Sequence, residues 1–344
     1  MYEDSSRGGD DDALGDEGRA LTNIAILDDY QGVALSTADW GSLGPGVRVQ
    51  AFRDHLADER PLVHRLRPFE VIVAMRERTP FPAPLFEQLP QLRLLVTTGM
   101  RNASIDLAGA TRLGITVCGT EGLGYPTAEL AWGLILAWAR RIPQEDQATR
   151  GGGWQTTLGV GLRGKVLGVI GLGRLGSQVA GFGRAFGMSV IAWSQNLTPQ
   201  RAAECGATLV PKDGLLSQAD VVTIHLQLSD RTQGLLGTRE LGLMKPTALF
   251  VNTSRGPIVD EPALLAALWN RSIAGAALDV FDEEPLPPTH PLRRVENAVI
   301  TPHLGYVTIE TYEVFYRDAV EDVRAFLGGA PVRVLNREVL KGAR

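Results

Sequence analysis

Three side chains with the makings of acid–base chemistry each follow a short β-like run: Arg255 comes after Phe-Val-Asn-Thr-Ser (250–254), Glu284 after Leu-Asp-Val-Phe (278–281) and His303 after Val-Ile-Thr-Pro (299–302). In an open parallel sheet, ligands gather at the carboxyl ends of the strands, so residues just past each strand are the first place to look for chemistry. Arg255 is a permanent cation that can hold a carboxylate and polarise a carbonyl. His303 can give or take a proton, and Glu284 can orient that imidazole.

A second pattern supplies a partner for this set. Val166 to Ile170 is an apolar run that empties into Gly171-Leu-Gly173-Arg174-Leu175-Gly176, and 177–186 carries apolar residues at helical spacing. Gly171 suits a tight turn, Gly173 lets a pyrophosphate approach the backbone, Gly176 lets helix pack on strand, and the free N–H groups at the helix start attract phosphate charge. This is a dinucleotide site, and hydride transfer to a 2-keto acid needs the Arg255, Glu284 and His303 set beside it. The hydride goes to the carbonyl carbon while a proton must reach the oxygen.

The elements that must position these groups alternate. Strands at 23–27, 47–52, 70–75, 92–98 and 115–119, with helices at 58–68, 85–89 and 105–113, form a first α/β unit of parallel-sheet type. A loop over 119–126 follows, with Thr127 as the N-cap of a helix running to about Arg141. That helix is free of charge from Leu130 to Ala139, so it is covered on nearly all sides, by core or by a second subunit. Pro143 and Gly151-Gly152-Gly153 punctuate a connection to the second unit, whose strands lie at 166–170, 189–193, 220–225, 248–252, 275–280 and 297–301. An amphipathic helix over 308–327 could carry the chain back to the first unit. The expected division is an acidic tail (1–20), a discontinuous substrate domain (21–125 with 307–344) and a nucleotide-binding domain (126–306). Both domains are doubly wound parallel α/β sheets, one Rossmann and one flavodoxin-like.

Asn252-Thr253-Ser254-Arg255-Gly256-Pro257-Ile258-Val259-Asp260, Ala277-Leu278-Asp279-Val280-Phe281-Asp282-Glu283-Glu284-Pro285 and Thr301-Pro302-His303-Leu304-Gly305 resemble the signature segments of the D-2-hydroxyacid dehydrogenase family, especially its D-3-phosphoglycerate dehydrogenase-like members. The likeness runs from about Asn23 to Asn336. It implies an NAD-dependent oxidoreductase that interconverts a small 2-keto acid and its D-2-hydroxy acid, in the glyoxylate, hydroxypyruvate or 3-phosphoglycerate class, as a homodimer. It further implies that Arg255 binds substrate, that His303 is the proton donor and acceptor, and that Glu284, which immediately precedes the motif proline, pairs with it in preference to Glu283. Cofactor contacts are implied from Arg174, Leu175, Thr253, Asp279 and the His303 to Gly305 segment. His225, at a strand end, reads as a structural or cofactor-wall residue. In the first domain Met75 to Thr79 and Thr98 to Asn102 correspond to substrate-facing loops; Arg76 and Arg78 are candidate substrate contacts or a solvated pair, and N–H groups near Gly99 and Met100 would receive the carboxylate.

Two positions depart from the family pattern. Ser194 occupies the place of the aspartate that usually binds the ribose hydroxyls and repels a 2′-phosphate, and no arginine or lysine immediately follows. NAD is favoured and NADP is left open. Tyr306 stands where many relatives have glycine, either lining the site or packing beneath the following helix.

Composition narrows the partners. A net charge of −5 on 344 residues offers no broad basic surface for nucleic acid. Cys118 and Cys205 lack Cys-x-x-Cys spacing, so neither a disulfide framework nor a cysteine zinc site is expected, and the pair reads as buried small hydrophobes in a reducing cytoplasm. The acidic, Gly-rich start has no apolar core region, which argues against a secretory signal and for a disordered leader. The longest charge-poor run is about half of the roughly 20 residues that span a bilayer. No regulatory domain of the serine-feedback kind is expected after Arg344. A reading from another class is an NAD(H)-sensing interaction protein, of the corepressor type, on the same fold.

Overall fold

The computed structural model describes residues 21–341; the expected leader and the last three residues lie outside them. The chain divides into two compact units, one running up to Gly122 and resuming at Ile309, the other spanning Leu123–Thr308.

The first unit holds five parallel strands, β1 (Thr22–Ile26), β2 (Val47–Ala51), β3 (Val71–Ala74), β4 (Leu94–Thr97) and β5 (Thr116–Gly119), in the order β2-β1-β3-β4-β5. Every residue of β3, β4 and β5 is buried, which is why these strands read as continuous apolar runs rather than alternating ones. The strand order reverses between β1 and β3, so a ligand crevice is expected at their carboxyl ends. The helix Ile309–Leu327 returns to this unit and buries Tyr312, Phe315, Tyr316, Ala319 and Val323. Beyond it the chain pairs with the edge of β5: the Gly119 N–H donates to Arg333 O and the Leu335 N–H to Val117 O. Asn336 locks this arrangement. Its Oδ1 accepts from the Val117 N–H, and its Nδ2 donates to Ile115 O and Thr111 Oγ1.

The second unit holds seven parallel strands, β6 (Val166–Ile170), β7 (Ser189–Trp193), β8 (Thr208–Leu209), β9 (Val221–Ile224), β10 (Leu249–Asn252), β11 (Gly275–Leu278) and β12 (Ala298–Ile300), in the order β12-β11-β10-β9-β6-β7-β8. Side chains alternate across this sheet. Ile170, Val222, Ile224, Phe250, Ala276 and Leu278 join one core, while Leu167, Val169, Val221, Leu249, Val251 and Ala277 join another on the opposite face. Two buried faces define a doubly wound sheet, with its switch point between β6 and β9.

Four details differ from the sequence reading. Thr127 is not an N-cap: the helix is Pro126–Ala139, with Tyr125 before it. Pro126 already suits the first turn, where its missing N–H leaves nothing unsatisfied. That helix buries Trp132, Leu134, Ile135 and Trp138, and the Trp138 indole N–H donates to Asn297 O, so much of its apolar circumference faces this unit's own core. The stretch around Pro143 is a helix, Ile142–Arg150, with no buried residue, and β8 was not anticipated. Cys118 is buried but Cys205 is only half-buried; both are free thiols, and burial pushes the Cys118 thiol up to about 12.

Candidate active site

The glycine loop leaves β6 at the switch point. Gly171 has φ 98°, and a Cβ there would lie 2.7 Å from His225 O; a Cβ on Gly176 would lie 2.0 Å from Gly171 O. Only glycine fits either place. Gly173 precedes the helix Arg174–Ala185, which has no side-chain cap, and nothing lies within 4 Å of where its Cβ would be. An open face beside uncapped helix N–H groups is what a pyrophosphate requires. Arg174 is exposed and its guanidinium lies against Gly124; Leu175 is half-buried. Ser194, Gln195 and Asn196 follow β7, and none of them is acidic. Thr253 is buried, and its Oγ1 has no hydrogen-bond partner. A buried orphan hydroxyl costs about 1–3 kcal/mol unless something accepts or donates there. The loop and this hydroxyl therefore fit a dinucleotide.

His225 follows β9. Its ring hydrogen-bonds Thr223 Oγ1 at 3.0 Å, and burial lowers its pKa to about 4. The imidazole is neutral at physiological pH, which suits a wall residue rather than a proton carrier.

The acid–base set sits at the ends of β10, β11 and β12. His303 Nδ1 is 2.6 Å from Glu284 Oε2, and the other Glu284 oxygen accepts the Phe281 N–H at 2.9 Å. The carboxylate is thereby fixed at one end and orients the imidazole at the other. Side-chain exposures of 24 % for His303 and 33 % for Glu284 leave the pair open to a substrate. Asp279 is buried at the end of β11. It accepts from Thr301 Oγ1 (2.6 Å), the Leu304 N–H (2.7 Å) and the Gly305 N–H (2.8 Å), so it shapes the turn that carries His303. Burial pushes the Asp279 carboxyl upward, against these hydrogen bonds and the neighbouring His303. Tyr306 meets the His303 ring edge to face, with centroids 5.7 Å apart.

Arg255 follows a turn built by Asn252, whose Oδ1 accepts the Ser254 N–H and whose Nδ2 donates to Arg255 O. Sequence reading assigned Asn252 no role, although asparagine is among the residues whose side chains build such turns by accepting a backbone N–H two residues on. The Arg255 guanidinium donates to Ser254 O. A Cβ on Gly256 would lie 2.1 Å from the Phe281 carbonyl carbon. The arginine turn therefore rests directly on the peptide that anchors Glu284.

In the first unit, the loops after β3 and β4 are tied together by Asn102, which donates to Arg76 O and Thr97 Oγ1. Arg76 and Arg78 are not a solvated pair. The Arg76 guanidinium donates to Thr98 O, lies over Gly99 and faces Glu77 at 3.6 Å. Arg78 donates to Asp28 O and stacks 4.4 Å over the Tyr30 ring. The expectation for Gly99 needs correction: its N–H already donates to Thr120 Oγ1 at 2.8 Å. Met100, 40 % exposed, carries the neighbouring N–H.

Comparison with known proteins agrees with this geometry. The family model for the NAD binding domain of D-isomer specific 2-hydroxyacid dehydrogenases matches residues 132–305. A glyoxylate reductase of Aeropyrum pernix is 46% identical over 268 residues, covering 75% of this chain and 80% of the relative. A D-3-phosphoglycerate dehydrogenase of a Synechocystis species is 38% identical over 264 residues, covering 76% of this chain and 48% of that longer protein. Among solved structures, a phosphoglycerate oxidoreductase from Vibrio cholerae superposes with a TM-score of 0.86 at 39% identity, covering 90% of this chain and 100% of that one. None of these three is a corepressor-like interaction protein. Nucleotide loop, acid–base pair and kinship agree: the chain belongs to the D-isomer-specific 2-hydroxyacid dehydrogenases, NAD-dependent oxidoreductases of 2-hydroxy acids.

Proposed function

We propose that the protein reduces glyoxylate or hydroxypyruvate to the corresponding 2-hydroxy acid, with His303 as proton donor, Glu284 orienting it and Arg255 binding the substrate. The observation that carries this reading is the 2.6 Å His303–Glu284 contact at the carboxyl edge of the nucleotide-binding sheet. When bound at the glycine loop, the nicotinamide cofactor supplies the hydride. Gly171, Gly173, Arg174, Leu175 and Gly176 are the groups offered to its pyrophosphate, Ser194 to its ribose, and His225, Thr253, Asp279 and Gly305 to its remainder. His303 delivers the proton that the carbonyl oxygen takes up, Glu284 holds the imidazole by Nδ1 so that Nε2 is presented, and Arg255 neutralises the carboxylate and polarises the carbonyl. Within the first unit, Arg76 and the Met100 N–H are the groups suited to meet a carboxylate. Arg78, held between Asp28 and Tyr30, is a weaker candidate.

The smaller acids are preferred over 3-phosphohydroxypyruvate because the glyoxylate reductase match is at higher identity and covers most of that relative, whereas the chain spans about half of the phosphoglycerate dehydrogenase. A panel of 2-keto acids assayed with NADH and NADPH tests this. The expected result is the highest kcat/KM for glyoxylate or hydroxypyruvate with NADH; a tenfold preference for the phosphorylated acid overturns it.

A homodimer in the cytoplasm belongs to the same proposal. Glu145 accepts hydrogen bonds from both the backbone and the hydroxyls of Thr156 and Thr157, holding a loop whose Trp154 is 78% and Leu158 94% exposed. Apolar side chains held out in this way suit a second copy. Among the described residues no helix is long and apolar enough to cross a membrane. Sedimentation of the purified chain tests the dimer.

A further inference from the structure

The backbone of His303 is left-handed, with φ 55°. A residue with a Cβ stays there only where its surroundings enforce it. On one side the Asp279 carboxylate draws in the next two N–H groups, those of Leu304 and Gly305. On the other, the Thr127 hydroxyl donates to Gly305 O at 2.9 Å. Thr127 also touches this turn directly, since its Oγ1 and Cγ2 both lie 3.1 Å from where a Gly305 Cβ would be.

The helix that carries Thr127 does not need this hydroxyl. Its first turn begins at Pro126, and the Ala128 and Glu129 N–H groups both donate to Tyr125 O. The hydroxyl is directed at the histidine turn instead of at its own helix.

We propose that Thr127 is a positioning residue for the proton-transfer step: with Asp279 opposite, it fixes the turn from which the His303 imidazole reaches Glu284. The inference rests on the reading of His303 as proton donor. Gly305 O is gripped from the helix and the two preceding N–H groups from β11, so loss of the Thr127 hydroxyl frees the turn on one side only. The imidazole then samples orientations away from Glu284, and fewer substrate complexes are aligned for reaction. Substrate binding, which rests on Arg255, does not depend on that alignment.

The test compares Thr127→Val, Thr127→Ser and His303→Asn, with kcat and KM measured for glyoxylate and NADH and melting temperature recorded for each. Thr127→Val is expected to lower kcat about tenfold with the KM for glyoxylate within about twofold, since a small misplacement is paid in turnover rather than substrate binding. Thr127→Ser keeps the hydroxyl and is expected to restore kcat to within about twofold. If Thr127→Val retains full kcat while His303→Asn loses most of it, or if serine fails to rescue, the positioning role is wrong and the histidine assignment stands. If His303→Asn itself retains full turnover, the underlying reading fails. Should the valine variant not fold, Thr127→Ala against Thr127→Ser gives the same comparison, and equal kcat in those two overturns the proposal.

Discussion

Glu284 bridges the Phe281 N–H and the Nδ1 of His303 with its two carboxylate oxygens, so one residue connects the backbone after β11 to the imidazole after β12. Glu284→Gln keeps the shape but replaces one acceptor by a donor, and the amide cannot serve both partners in the same way. The expected outcome is a fall in kcat of at least about tenfold with NADH affinity, read by fluorescence titration, unchanged. The same change at Glu283, which is exposed, is expected to leave kcat within twofold. The reverse pattern would move the pair by one residue.

Arg255→Ala removes the cation that binds the carboxylate and polarises the carbonyl. It is expected to lower kcat/KM for the keto acid by about 100-fold while NADH binding is retained. A loss of only a few-fold in steady-state assays would take Arg255 out of the catalytic set.

Gly256 lies against the Phe281 peptide, and a Cβ there would meet backbone rather than a side chain that can swing away. Gly256→Ala is therefore expected to cost about 1–3 kcal/mol of stability and to lower kcat more than either KM, because the arginine turn and the Glu284 anchor are forced apart. Thermal melts alongside steady-state kinetics check both parts. A variant as stable and active as the parent would mean that the two turns are not braced against each other.

Asp322 is fully buried on the returning helix. Its Oδ1 accepts from Arg333 Nε at 3.0 Å, and its Oδ2 has no hydrogen-bond partner. Burial pushes its carboxyl up to about 7 in spite of Arg333, with Asp318 and Glu321 adding to the rise. The folded chain thus holds a proton between about pH 4 and pH 7 that the unfolded chain has already released. This contribution to stability is present below pH 4 and is lost as pH rises through 7. The melting temperature of Asp322→Asn is expected to fall less steeply over this window than that of the parent. Equal slopes in differential scanning calorimetry would show that Asp322 does not titrate there.

Local chemistry explains which parts of this architecture could be read from sequence. The glycine loop and the three strand-end residues were legible because each lies within a short stretch whose pattern carries its own physical reason. The buried strands were legible because both of their faces are apolar. Helix Ile142–Arg150 buries nothing and therefore carries no periodic apolar signal, while β8 has two residues, too few for any pattern. The Gly99 N–H was misjudged because its partner, Thr120, is 21 residues away. Thr127 was misjudged because a helix already started by Pro126 leaves its hydroxyl free for a carbonyl 178 residues distant. Partners so remote in sequence leave no mark on local composition.

The pairing of residues 333–335 with the edge of β5 has a consequence for biogenesis. Unit Leu123–Thr308 is contiguous and can fold once its own residues have left the ribosome. The first unit cannot, since Arg333, Leu335 and Asn336, which close its β5 edge, are translated more than 200 residues after that strand. At typical elongation rates of about 5–20 residues per second, the nascent first sheet waits on the order of ten seconds or more with that edge unpaired. An open edge next to strands that are buried when folded invites intermolecular strand pairing. The segment of the first unit up to Gly122 is thus the part of the molecule most dependent on chaperone cover during synthesis, and a chain truncated before Arg333 is expected to aggregate.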